Sequence, residues 1–320
     1  MSKQPPPRDD LSIPPPPHPI RRHEKLPWQT PKAIEDDAGA HDRVQALMEN
    51  PSYRPADADI DFLRQGATRG VRLQLDYSKP ELLLEQHSIR HTIVVFGGTR
   101  IHEPAMARRR VKELERALQA SPADAALKRQ LDIARRILDK SRFYDIAREF
   151  GRLVGDSGSG PQDSRVVLMT GGGPGMMEAA NRGAWEAGAK TIGLNITLPH
   201  EQFPNPYLTP GLCFRFHYFA LRKLHFLLRA RALVAFPGGY GTLDELFETL
   251  TLIQTRKIKP LPVVLMGEAY WRRVVDFDFL AAEGVIDDED RDLFWFAESA
   301  LDAWEGIQRW HQANGTPLFD

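Results

Sequence analysis

Three times in this chain a short apolar run ends on glycines and gives way to a stretch with helical spacing. The runs are "HTIVVFGGTR" at 91–100, "RVVLMTGGGPGMMEAANRGA" at 165–184 and "LVAFPGGYGTLDELFE" at 233–248. Brief runs rich in β-branched residues and bounded by glycine read as strands buried on both faces, the kind found in parallel sheets. Three more runs, "KTIGLNITL" at 190–198, "CFRFHYF" at 213–219 and "LPVVLMG" at 261–267, extend the series. Strands alternating with helices imply crossovers, so the expected class is α/β: a doubly wound parallel sheet with helices on both faces. Ligands of such sheets lie beyond the carboxyl ends of the strands. The glycine turns at 97–98, 171–175 and 238–241 fall on that edge.

The flanks are different in kind. Residues 1–40 mix prolines with charge and cannot bury a core, so a disordered tail is expected there. Residues 41–90 read as a helical extension. In it, "SKPELLLEQH" offers Ser78 and Glu81 as a capping box with proline in the first turn. The core α/β domain is expected over 91–285, with a charged helical insertion or hairpin at about 104–140 restarted at Ser121-Pro122. "RFYDIAREFGRLVGD" is a further helix, and small residues after the second glycine turn let that helix lie close to the sheet. "AYWRRVVDFDFLAAEG" packs beside the last strand. Residues 286–320 form a C-terminal extension with one more helix.

Composition narrows the function. Lys plus Arg total 42 and Asp plus Glu 43, a formal net charge of -1, so no general grip on nucleic acid is expected. The single cysteine, Cys213, excludes a disulfide framework and a multi-cysteine zinc site, and is expected in a buried strand. No apolar run is long enough to span a membrane, and the polar N-terminus lacks a secretory signal. A cytoplasmic protein with no membrane partner is expected.

The glycine turns admit two readings, tight strand–helix joints or cradles for an anion. Amides at a helix start lack helical partners and carry partial positive charge, and glycine lets a phosphate approach them. "GGGPG" lacks the spacing of the dinucleotide fingerprint, and "PGGYGT" lacks the lysine of a P-loop. Thr242 and Glu245 fit a capping box, which would occupy Glu245 structurally. Yet Asp244, Glu245 and Glu248 crowd the same edge, and a carboxylate there can stabilise positive charge on a sugar ring or orient a water. Arg222 and Lys223 open the preceding helix, with Arg222 and Arg229 two turns apart on one face. A guanidinium suits a phosphate or a base edge, or it is plain surface charge. His225 reads as a packed helix residue, and the run Arg108–Arg110 as a solvated face. The sequence has no nucleophile elbow, zinc-protease pair or metal-ligand cluster.

Taken together, "GGGPGMMEAANRGA", "LRK" and "PGGYGTLDE" resemble the LOG ("lonely guy") family of phosphoribohydrolases, often mislabelled lysine decarboxylases. The family pattern of a glycine-rich turn, here G-G-G-P-G-M-M at 171–177, an R-K pair and P-G-G-x-G-T-x-x-E is met in order across about residues 91–280. Where the family usually carries a serine after its first turn, this chain has Gly98 and Thr99. The resemblance implies a Rossmann-like fold, a homodimer or larger oligomer, no cofactor or metal, and hydrolysis of a nucleoside 5′-monophosphate to free base and ribose 5-phosphate. By matching motifs it implies Arg222 and Glu245 as the catalytic pair. Gly238, Gly239, Gly241 and Thr242 would hold the phosphate. Gly97, Gly98, Gly171, Gly172, Gly173, Gly175, Met176 and Lys223 would line the nucleotide site. The helical additions favour a general purine nucleotide, AMP first, over a cytokinin ribotide. A non-catalytic nucleotide sensor and an amino-acid decarboxylase using pyridoxal phosphate are the rival readings.

Overall fold

The computed structural model describes residues 16–199 and 203–319. Residues 1–15, with the first proline tracts, lie outside the described residues. The described chain divides into two units, residues 16–69 and 70–319. The first carries α1 (Ala40–Glu49) and α2 (Ile60–Arg64), the latter capped by Asp59, whose carboxylate accepts from the Phe62 amide at 3.0 Å.

The second unit opens within α3 (Arg69–Gln86), which continues through Pro80. The capping box expected at Ser78 is not formed, because the helix begins about two turns earlier. Proline inside a helix removes a hydrogen bond and crowds the preceding carbonyls, at a cost of about 3 kcal/mol. The bond lost is to the Asp76 carbonyl; burial of Pro80 and Leu84 offsets part of the cost, and the neighbouring Tyr77 carbonyl faces Nε2 of His225 at 3.1 Å. Glu81, freed from capping, pairs with Arg229.

A seven-stranded sheet follows among the described residues. Its strands are β1 (His91–Phe96), β2 (Val166–Thr170), β3 (Thr191–Ile196), β4 (Cys213–Phe216), β5 (Ala230–Ala235), β6 (Val263–Met266) and β7 (Trp295–Ala297). The order is β4-β3-β2-β1-β5-β6-β7, and every pairing is parallel. This is the doubly wound, Rossmann-like α/β fold. Strand order reverses between β1 and β5, the switch point where such sheets open a crevice. β7 was not expected from the sequence; it extends the edge beside β6.

Along β1 the burial alternates by face. Ile93 and Val95 join Phe150, Met176 and Trp304 on one side, while Val94 and Phe96 join Phe226, Leu246 and Trp271 on the other. Both faces are dry, which is why the strands are apolar throughout rather than alternating. Helices α4 (Pro104–Ala120) and α5 (Ala125–Lys140) form the expected hairpin, restarted by Asp124 rather than Ser121, with its own small core of Val111, Leu114, Leu131 and Ala134. Then come α6 (Arg142–Gly155), α7 (Met176–Glu186), α8 (Phe219–Leu228), α9 (Tyr240–Gln254), α10 (Glu268–Val274), α11 (Phe277–Ala282) and α12 (Ala300–Ala313). The small residues of α7 serve a helix contact as much as the sheet. A Cβ on Gly183 would lie 1.7 Å from the Arg148 carbonyl of α6, so only glycine permits that approach. Cys213 is on β4 but exposed, a correction to its expected burial: β4 is an edge strand whose Cys213 and Arg215 face outward while Phe214 and Phe216 face in.

Candidate active site

Register brings the three glycine turns together. β1 is paired with β2 as far as Val95↔Thr170 and with β5 as far as Phe96↔Ala235, so the three strands end level. The Gly98 amide donates to the Pro237 carbonyl at 2.9 Å, and the Met176 amide donates to the Gly98 carbonyl at 3.2 Å. The turn after β1 is thereby clamped between the other two.

Most of these glycines are joints. A Cβ on Gly97 would meet Met176 Cβ at 2.5 Å; one on Gly98 would meet the Pro237 carbonyl at 3.0 Å. On Gly172 it would strike Asn195, and on Gly238 it would strike the Thr242 hydroxyl at 2.1 Å. Gly175 has φ +75° and packs on the Gly98 carbonyl, so it meets both the conformational and the steric demand. Gly171 lies against the Arg222 guanidinium. Gly173 is buried, and its carbonyl accepts from Asn205 Nδ2 at 3.1 Å. Met176 is fully buried in the core, so the side chain packs and is not presented at the edge. Gly239 and Gly241 are the exceptions: a Cβ on either would meet nothing within 4 Å. They start α9, whose first amides have no carbonyl a turn back to bond. Both readings of the glycines therefore hold, at different positions.

The capping box expected at Thr242 is absent. Gly239 is the N-cap and Thr242 stands three residues inside the helix, leaving Glu245 a turn farther in and only 7% exposed. Burial pushes the Glu245 carboxyl up to about 7; Lys223 and Arg222 oppose that rise, while Glu248 and Asp244 add to it. Arg222, on α8, donates from Nε to the Leu194 carbonyl at 2.8 Å and lies over the Phe226 ring at 5.1 Å. Burial lowers its pKa, against the pull of Glu245 and Asp244. Arg229 does not share this face, being held by Glu81. Lys223 bridges Glu248 at 2.8 Å and Asp244 at 3.0 Å. Glu245 is within electrostatic reach of both Lys223 and Arg222, the two cations that oppose its rise. His225 is buried between the Leu221 and Tyr77 carbonyls, a packing residue as expected.

Sequence reasoning missed the polar groups that hold the turns. Asn181 accepts from the Thr170 hydroxyl at 2.7 Å and from Asn205 Nδ2 at 2.9 Å, and donates to Thr191. The Asn205 amide donates to the Gly172 carbonyl at 2.9 Å, and the Gly172 amide to the Thr170 hydroxyl at 2.9 Å. This fully bonded buried network fixes the second turn. The Tyr270 hydroxyl donates to the Gly238 carbonyl and pins the third. An isolated asparagine or tyrosine far along the chain carries no local signal of such a task.

A family model described as "Possible lysine decarboxylase" matches residues 177–307. The chain is 29% identical over 166 residues to the cytokinin riboside 5′-monophosphate phosphoribohydrolase LOG of Oryza sativa subsp. japonica, spanning 50% of this chain and 64% of that one. It is 28% identical over 187 residues to the protein of that activity named LOG3 in Arabidopsis thaliana, spanning 56% and 82%. The resemblance to the LOG family is borne out. Among solved structures, that of TM1055 aligns with 68% of this chain and 99% of its own, at 22% identity and a TM-score of 0.41. The decarboxylase wording of the LOG-family model finds no matching chemistry at this edge. A pyridoxal Schiff base needs a lysine that gives up its proton. Lys223 would be lowered by burial, but its bonds to Glu248 and Asp244 outweigh that and its pKa is raised.

Proposed function

We propose that this chain hydrolyses the N-glycosidic bond of a nucleoside 5′-monophosphate, giving free base and ribose 5-phosphate, with AMP as the first candidate. The observation that carries the reading is Glu245, a buried carboxyl with a raised pKa, within electrostatic reach of Arg222 and nearly two turns inside a helix whose glycine start faces open space. The phosphate docks on the amides at the start of α9, over Gly239 and Gly241. Glycosidic cleavage spreads positive charge over the sugar ring, and the Glu245 carboxylate meets that charge through the ribose hydroxyls or the attacking water. The water oxygen bonds to C1′ as the C1′–N bond breaks, and the departing base leaves with a proton. Arg222 fixes the nucleotide and assists departure of the base. Exclusion of bulk water strengthens each of these contacts. The names of the rice and Arabidopsis relatives describe the same bond cleavage on a cytokinin ribotide, and they support the reaction class here.

The test incubates purified protein with AMP, GMP, CMP, UMP and a cytokinin ribotide in parallel, and quantifies base and ribose 5-phosphate by chromatography. Release by the wild type and not by Glu245→Gln is the expected result, and it ranks the bases. Binding without release from any of the five would replace the reading with that of a nucleotide sensor.

A further inference from the structure

The α4–α5 hairpin holds a second concavity, of about 570 Å³, outside the nucleotide edge. Its floor is aliphatic, formed by Met106, Leu114, Ile133 and Ile137. Met106 and Ile133 are 44% and 47% exposed, so apolar surface is left open to water inside the hollow. The polar lining is Arg100, Arg109 and Arg110, with His102, Gln130 and one carboxylate, Glu113. Arg110 has Glu113 at 3.4 Å. Among the described residues, no carboxylate is within ion-pair distance of Arg100 or Arg109. Unpaired surface arginines are ordinary when scattered. Here they converge with an aliphatic floor in one hollow of the size that takes a small molecule. No Phe, Tyr or Trp lines it, so it lacks the large flat platform those rings offer a base. A guanidinium pair suits an oxyanion, and the floor suits a hydrocarbon chain.

We propose that this cleft binds a small anionic amphiphile, its oxyanion head on Arg100 and Arg109 and its aliphatic chain along Met106, Ile133 and Ile137. Residues 100–102 continue the turn of Gly97 and Gly98, so occupation bears on the neighbouring edge; that coupling rests on the proposed function, whereas the binding does not.

The test is calorimetric titration of the full chain with octyl phosphate below its micelle concentration. One-to-one saturable binding is expected. It should weaken at least tenfold in the double variant Arg100→Ala/Arg109→Ala and in Ile133→Asp, and stay unchanged in Arg108→Ala, which lies off the cleft. Circular dichroism of each variant separates loss of fold from loss of binding. Three results would overturn the proposal: unchanged binding in both cleft variants, inorganic phosphate binding as tightly as octyl phosphate, or displacement of octyl phosphate by AMP. Pelleting with phosphatidic acid vesicles distinguishes the source. Pelleting that depends on Arg100 and Arg109 makes the ligand a lipid headgroup, and octyl phosphate binding without pelleting makes it a free organic anion.

Discussion

Glu245 costs the fold something when it ionises, and that cost has a sign that can be checked. Its ordinary value is 4.5 and its folded value about 7, so between those limits the folded chain holds the proton more tightly than the unfolded chain. Stability therefore falls as pH rises across that window, by roughly 3 kcal/mol when complete. Glu245→Gln removes the titration. The variant is expected to match the wild type in urea unfolding near pH 5 and to exceed it by about 1–3 kcal/mol at pH 8. The same substitution is expected to lower turnover about a hundredfold or more, since it removes the charge that the sugar cation needs. In the wild type, turnover should rise as pH passes through about 7 and level off above it, because the carboxylate is the working form. A rate that falls over that range would assign Glu245 the opposite role, that of a proton donor.

At the scale of elements, the glycine turns separate into joints and open positions, and substitution tells them apart. Gly175→Ala adds a Cβ 2.4 Å from the Gly98 carbonyl at φ +75° and should destabilise by about 2 kcal/mol or more. Gly239→Ala meets no atom within 4 Å and should leave the melting temperature nearly unchanged while raising KM, if phosphate sits over it. Thermal melts and steady-state kinetics on the pair check this. The strands were legible because "HTIVVF", "RVVLMT" and "LVAF" are apolar throughout and stop at glycine. β7 was not, because "WFA" is three residues of aromatic and small side chains without a β-branched run. Two apparent capping boxes misled for the same reason. Ser78 and Thr242 each stand inside a helix whose start is set farther back, by the turn before Arg69 in one case and by Gly239 in the other. The positions of Arg222 and Glu245 could be read from motif spacing. The Asn181–Asn205 network could not, since its members meet only when the sheet is assembled.

For the molecule as a whole, the formal charge of -1 gives little net repulsion between copies. Tyr240 is 93% exposed, and Phe219, Leu224, Leu228 and Phe247 of α8 and α9 are exposed as well. We propose that this face joins two copies of the chain. Light scattering is expected to give twice the chain mass of 36.2 kDa, and Leu224→Glu/Leu228→Glu to return it to a single chain. Among the described residues, no helix is long and apolar enough to cross a membrane. The strand order also sets a clock. β1 lies at the centre of the sheet, yet its neighbour β5 and the Pro237 carbonyl that receives the Gly98 amide come much later in the chain. At the pace of a ribosome that interval is on the order of ten seconds. Through it, the β5 flank of β1 stays bare; β4 ends at Phe216 and β5 begins at Ala230, so the half-sheet β1–β4 is complete only shortly before β5 arrives, and the crevice between β1 and β5 is among the last places to close. Newly made chains are thus most vulnerable to mispairing along the strand that later becomes the most protected.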